Sequence, residues 1–108
     1  MNDIIIVILG LHFISDFILQ SDWIAKNKSK SNKALLIHTS VYSLPFLAVF
    51  GWKYALVNMT LHTAIDFVTS RISSKLYAKG KIHEFFVVIG FDQYLHAICL
   101  ISTIGMIK

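Results

Sequence analysis

Charge is what this sequence has least of. Asp, Glu, Lys and Arg together make up 15% of the 108 residues, against about one-quarter in a soluble domain. With 56% of residues apolar and long stretches nearly free of charge, the chain is either a membrane protein or a core without a surface. The membrane reading is the physical one. The length allows one domain, residues 1–108. A single cysteine, Cys99, excludes an intrachain disulfide and a thiolate zinc knuckle within one chain. The opening MNDIIIVILG lacks the basic n-region and small-residue cleavage site of a secretory signal, so it is read as a retained first helix.

Crossing the hydrocarbon layer takes about 20 helical residues. Four segments meet that need, roughly Asp3–Ile24, Ala34–Phe50, Tyr54–Ser70 and Phe85–Ile107. The fold expected is therefore all-α, a polytopic membrane protein of four transmembrane helices. The only proline, Pro45, is predicted to kink the second. The connections AKNKSKSNK and RISSKLYAKGKIHE read as long basic loops, and GWK as a tight turn.

Basic residues then set the orientation. Lys26, Lys28, Lys30, Lys33, Arg71, Lys75, Lys79 and Lys81 fall on one side, and Lys53 and Lys108 on the other. The positive-inside rule makes both long loops cytoplasmic and both termini external, in a multi-pass protein of the inner (cytoplasmic) membrane. Trp23 and Tyr77 mark the inner interface, Trp52 and Tyr54 the outer one. The lysines serve as topology signals and contacts for anionic inner-leaflet lipids, so nucleic acid is not an expected partner.

Ionisable side chains nevertheless enter the spans, and they do so in a pattern. LHFISDFILQ carries His12 and Asp16; LHTAIDFVTS carries His62 and Asp66; FDQYLH carries Asp92 and His96. Four-residue spacing puts each pair on one helix face. Five His and five Asp in a chain of this length would give an HxxxD pair only roughly 0.2 times by composition, fewer than the two present. A repeat of about 50 residues, LHxxxDF at Leu11–Phe17 and Leu61–Phe67, accounts for part of the excess and implies a duplicated helix pair.

Direction makes the pattern coherent. Helices one and three run inward and helix four outward, so HxxxD and DxxxH both put aspartate nearer the cytoplasm. At a rise of about 1.5 Å per residue, Asp16, Asp66 and Asp92 lie roughly 6–12 Å into the layer and their histidines roughly 12–18 Å. His38 enters from the same side at about 6 Å by the same rise. Seven ionisable groups thus share one slab, and the sequence places no Lys or Arg in it to neutralise the aspartates.

An ionisable residue near the bilayer centre costs at least about 2.5–3.5 kcal/mol, so each needs a partner or a function. A divalent cation is the simplest remedy. Imidazole with carboxylate suits zinc first, with iron and manganese as alternatives, whereas magnesium or calcium would take oxygens almost alone. The candidate metal ligands are His12, Asp16, His38, His62, Asp66, Asp92 and His96. That number allows an open catalytic site or two metals bridged by an aspartate. Asp16, Asp66 and Asp92 are the candidate catalytic groups, one of them left free as a general base. Gln20, Thr39 and Gln93, with Ser15, Ser40 and Thr69, are placed to orient ligands. The bland reading of each residue singly is interhelical hydrogen-bond glue, worth about 0.6 kcal/mol. His38, Gln20, Gln93 and Asn58 suit it best.

At these residues the chain resembles a family of small prokaryotic and phage membrane proteins of unknown function. The resemblance rests on LHxxxDFxLQ, here Leu11–Gln20, followed by Trp23 and Lys26, on His38 opening the second helix, and on DQxxH, here Asp92, Gln93 and His96. It covers nearly the whole chain and implies no activity. In architecture and His/Asp usage alone, the chain is distantly similar to membrane-bound metal-dependent hydrolases, which by analogy implies hydrolysis.

Three functions fit these readings. The first is a membrane-embedded metal-dependent hydrolase acting on a lipid or amphiphilic ester from the cytoplasmic half of the bilayer. The second is passage of protons or divalent cations, for which four helices would need a homo-oligomer. The third is a structural or regulatory membrane protein. Nearly unbroken hydrocarbon in the outer halves, Ile4–Leu9, Leu44–Phe50 and Ala97–Ile101, weighs against a through-pore and favours the hydrolase.

Overall fold

A computed structural model describes residues 2–107 of the chain. All regular structure among them is helical: α1 (Asn2–Phe13), α2 (Asp22–Asn27), α3 (Asn32–Phe50), α4 (Trp52–Ala78) and α5 (Ile82–Ser102). A π-helical turn, Ile14–Ile18, continues α1, and a short 3-10 turn, Ile104–Met106, follows α5. Two helices, α3 and α5, are long and apolar enough to cross a membrane.

Local chemistry sets the boundaries. Ser21 and Ser31 cap α2 and α3, their hydroxyls accepting from Ile24 N at 3.2 Å and Ala34 N at 3.3 Å. Gly51, at φ 94°, is the whole joint between α3 and α4. That left-handed conformation suits glycine. The tight turn expected at GWK is thus one residue, with Trp52 and Lys53 already helical.

Both basic connections differ from expectation. Residues 71–78 are helical, because nothing in Arg71–Ala78 breaks α4 before Gly80 at φ 74°. The link to α5 is only Lys79–Lys81. α2, which Ser21 starts, takes in the end of the expected first helix and runs into the first connection as far as Asn27. The helix drawn as Asp3–Ile24 is interrupted at residues 19–21. α3 continues through Pro45 to Phe50.

α4 packs against α3 on one side and α5 on the other, and α1 closes the ring against both of those. Each helix turns one stripe inward at four-residue spacing. These are Ile8, His12 and Asp16 on α1 and its π turn, Ala34, His38, Tyr42, Phe46 and Phe50 on α3, Tyr54, Asn58, His62, Asp66 and Ser70 on α4, and Asp92, His96 and Leu100 on α5. Read across the bundle, the stripes form two regions. Ile8, Tyr42, Phe46, Phe50, Tyr54, Ala55 and Leu100 make the apolar core near the Gly51 joint. The His and Asp side chains lie beyond it, towards α2. Tyr54, expected at an interface, is fully buried there and donates to Leu100 O at 2.7 Å. Among the described residues, thirteen polar or charged side chains are buried against ten apolar ones.

Candidate metal centre

Four atoms from three elements converge at the centre of the polar region. Asp16 comes from the π turn after α1, His38 from α3, and His62 and Asp66 from α4. The π turn, closed by Leu19 N to Ile14 O at 2.9 Å, buries Ser15 and Asp16. Its extra residue re-aims a side chain within a helix, as such turns often do at functional sites.

His38 Nε2 lies 3.0 Å from Asp16 Oδ1, 3.3 Å from Asp66 Oδ2 and 3.1 Å from His62 Nε2. His62 Nε2 lies 3.5 Å from Asp16 Oδ1 and 3.0 Å from Asp66 Oδ2. These are five edges of a four-cornered donor cluster. A tetrahedral zinc ion with bonds of about 2.0–2.2 Å to nitrogen and oxygen has ligand–ligand edges of about 3.3–3.6 Å. The cluster is that size, or slightly tighter.

Its hydrogen bonding points the same way. Asp16 Oδ1 and Asp66 Oδ2 are buried, yet neither has a hydrogen bond of ordinary geometry. Buried carboxylate oxygens left so are costly and rare. These two oxygens are the two carboxylate corners of the cluster, where a cation would satisfy both.

A second group shares Asp16. Asp16, Asp92 and His96 each offer a donor atom, all within 4.8 Å of one another. His96 Nε2 sits 3.2 Å from Asp92 Oδ1 and 3.1 Å from Asp66 Oδ1. Thr69 donates to Asp92 Oδ1 at 2.5 Å, and Gln93 Nε2 donates to Asp92 Oδ2 at 3.0 Å and Asp16 Oδ2 at 3.3 Å. A second cation here would share Asp16 with the first.

His12 stands apart from both groups. One ring nitrogen, Nδ1, meets Tyr42 Oη at 2.8 Å, and Nε2 meets Gln93 Oε1 at 2.7 Å. Its approach to Asp16 Oδ2 is 3.8 Å. With Nε2–H donating to Gln93 and Nδ1 accepting from Tyr42, both nitrogens are used. His12 therefore positions Gln93, which in turn holds Asp16 and Asp92. Of the other residues expected to orient ligands, Thr69 hydrogen-bonds Asp92, and Gln93 hydrogen-bonds Asp92 and Asp16. The Thr39 hydroxyl donates to Leu36 O at 3.3 Å, and exposed Ser40 also bonds Leu36 O. Gln20 Oε1 and Ser15 Oγ are buried without partners.

Two contributors escaped the sequence reading. Tyr42 stacks on His62 with centroids 3.8 Å apart, and His96 covers the other face at 4.1 Å. His62 Nδ1 has no partner, so this sandwich and the contacts of Nε2 orient the ring. Tyr42 is one turn beyond His38 on the same stripe, which was the available signal. The second is Lys28, whose Nζ reaches to 3.7 Å from Asp66 Oδ2. This corrects the expectation that no lysine neutralises the slab. α2 folds back beneath the bundle, and the long lysine stem carries the charge inward. With the histidines neutral, three buried carboxylates against one ammonium still leave two negative charges in excess. One divalent cation balances them.

The site is reached from a cavity of about 620 Å³, bounded by Asp16, Asp92 and Gln93 at its inner end. A recess of about 50 Å³ beside Lys28 continues to Asp66.

No curated protein and no solved structure matches the chain. The family described as "Protein of unknown function (DUF3307)" matches residues 4–107, and the chain belongs to it.

Proposed function

We infer that the protein is a membrane-embedded, metal-dependent hydrolase acting on a lipid or amphiphilic ester. The carrying observation is the cluster of His38, His62, Asp16 and Asp66 at tetrahedral spacing, two of its carboxylate oxygens otherwise unpartnered, beside an open cavity. Zinc suits two imidazoles and two carboxylates best. With four protein donors in place, water would enter as a fifth neighbour from the cavity side, where bound metal would bring its pKa to about 7 and supply hydroxide at neutral pH. Asp92 faces the cavity and is the group placed to move the proton. Water would add across the ester, hydroxide to the acyl or phosphoryl centre and the proton to the departing oxygen.

Membrane placement in this reading has α1 with its π turn, α3, α4 and α5 crossing, both termini outside and α2 on the cytoplasmic side. Large apolar side chains face outward on every crossing helix, among them Ile6, Phe13, Leu44, Leu56, Phe86 and Phe91. Soluble monomers rarely expose apolar surface so widely. The long axis of 44 Å suits a bilayer of about 40–45 Å with its head groups.

The packed core argues against transport. Ile8, Phe46, Phe50, Tyr54 and Leu100 fill the bundle axis on the side away from the cavity, so the site opens towards α2 alone. The test is metal content of the detergent-purified protein, followed by ester-bond cleavage in mixed micelles. The reading expects near-stoichiometric metal, its loss in His38→Ala and His62→Ala, and cleavage that follows metal content. Metal without cleavage, together with cation flux into liposomes, would replace hydrolysis by transport.

A further inference from the structure

The cavity beside the metal cluster has walls of two kinds. Lys26, Lys28, Lys30 and Ser29 line it from the segment that begins with α2, and α4 adds Ser74. Phe17, Tyr77, Phe85 and Ile89 supply apolar lining. Lys28 is turned inward to within 3.7 Å of Asp66 Oδ2, which leaves Lys26 and Lys30, both exposed, to meet a ligand. One wall thus suits an anion, the other hydrocarbon, and the inner end is the reaction centre. In addition, Gln20 Oε1 on the cavity wall is buried and unpartnered, an acceptor waiting for a ligand donor.

Resting on the hydrolase reading, we propose that this cavity seats the phosphate-bearing head group of a membrane lipid. The phosphate lies between Lys26, Lys30 and the serine hydroxyls, and the acyl chains lie along Phe17, Tyr77, Phe85 and Ile89. Charge complementarity selects the phosphate. Lysine is a strong point-charge binder of phosphate oxygens. The carboxylates at the inner end would repel an anion pushed deeper, so the phosphate is held at the rim. The adjoining glyceryl ester bonds then face the cluster. The remaining P–OH of a singly ionised phosphate monoester would donate to Gln20 Oε1. The apolar wall is what commits the site to a lipid rather than a free phosphate ester.

The test measures binding to the full chain in detergent by calorimetry, with and without added zinc. The probes are dihexanoyl phosphatidic acid, dihexanoyl phosphatidylcholine and glycerol 3-phosphate. Phosphatidic acid should bind well above the other two, and the double variant Lys26→Gln/Lys30→Gln should weaken it by about tenfold or more, as loss of charged hydrogen bonds does. The control, Lys33→Gln/Lys75→Gln, removes the same charge from outside the cavity and should stay within about twofold, since surface attraction alone is screened. Equal weakening by both double variants, or equal binding of phosphatidylcholine, would overturn the site. Equal binding of glycerol 3-phosphate would overturn the lipid assignment. Failure of the two readings is separable. Absent metal with the lysine-dependent preference intact sinks the hydrolase and leaves the head-group site standing. Stoichiometric metal without that preference does the reverse.

Discussion

At one end of the bundle Phe46, Phe50, Tyr54 and Leu100 pack with Ile8 into a closed apolar core. About two turns away along the same stripes, His38, His62, Asp16 and Asp66 crowd four donor atoms together. The first region is held by contact among atoms that need nothing further. The second brings together groups that repel or desolvate one another and leaves two carboxylate oxygens without partners. Spending buried positions in this way makes sense only if something outside the chain completes them. Tyr42 is the hinge between the regions. Its ring belongs to the core and stacks on His62, while its hydroxyl meets His12.

If the regions are separable in this way, perturbing one should leave the other's behaviour intact. Zinc added to chelator-treated protein should raise its stability by about 3 kcal/mol at one hundred times Kd, by mass action. The double variant His38→Ala/His62→Ala should lose that rise altogether. Scanning thermal unfolding with and without zinc reads both. Phe46→Ala, in the core, should cost about 2 kcal/mol or more through the void it leaves, yet keep the zinc-dependent rise. If Phe46→Ala removes the rise, the two regions are one.

Lys28→Gln probes the site's own charge balance. Removing an ammonium near the cluster should tighten zinc by about tenfold, roughly the Coulombic effect of a charge a few ångströms away at intermediate dielectric. Competition against a zinc-sensitive dye measures it, and weaker binding would mean that Lys28 supports the ligands rather than competing with the cation. The smallest effect belongs to Asn58→Ala, which removes the link from Asn58 Nδ2 to Thr103 Oγ1 at 2.9 Å. About 0.6 kcal/mol is expected in the unfolding equilibrium, with zinc affinity unchanged.

How much of this the sequence shows depends on which physical rule each residue obeys. The i,i+4 units His12–Asp16, His62–Asp66 and Asp92–His96 are readable because helix periodicity alone puts each pair on one face. Counting depth brings His38 to their level. Depth and face do not give lateral position, however, and this is why His12 reads as a ligand although Gln93 and Tyr42 engage both its nitrogens. Lys28 is illegible for another reason. Its place in a basic stretch says loop, and only the fold-back of α2 turns the ammonium towards Asp66. Reading charge as loop also hides the helix through Arg71–Ala78, whose residues have no breaker before Gly80. The π turn that buries Ser15 and Asp16 has no sequence mark at all.

Two imidazole nitrogens and two carboxylate oxygens of this chain, on the reading proposed above, bind one cation. X-ray absorption at the zinc edge, on zinc-loaded protein in detergent, reads those neighbours directly. Four nitrogen and oxygen neighbours at about 2.0–2.2 Å are expected, with a fifth where water is bound. The outer-ring scattering of two histidines should accompany them, with His38→Ala losing the contribution of one. A spectrum of oxygen neighbours alone, unchanged by His38→Ala, would contradict that reading.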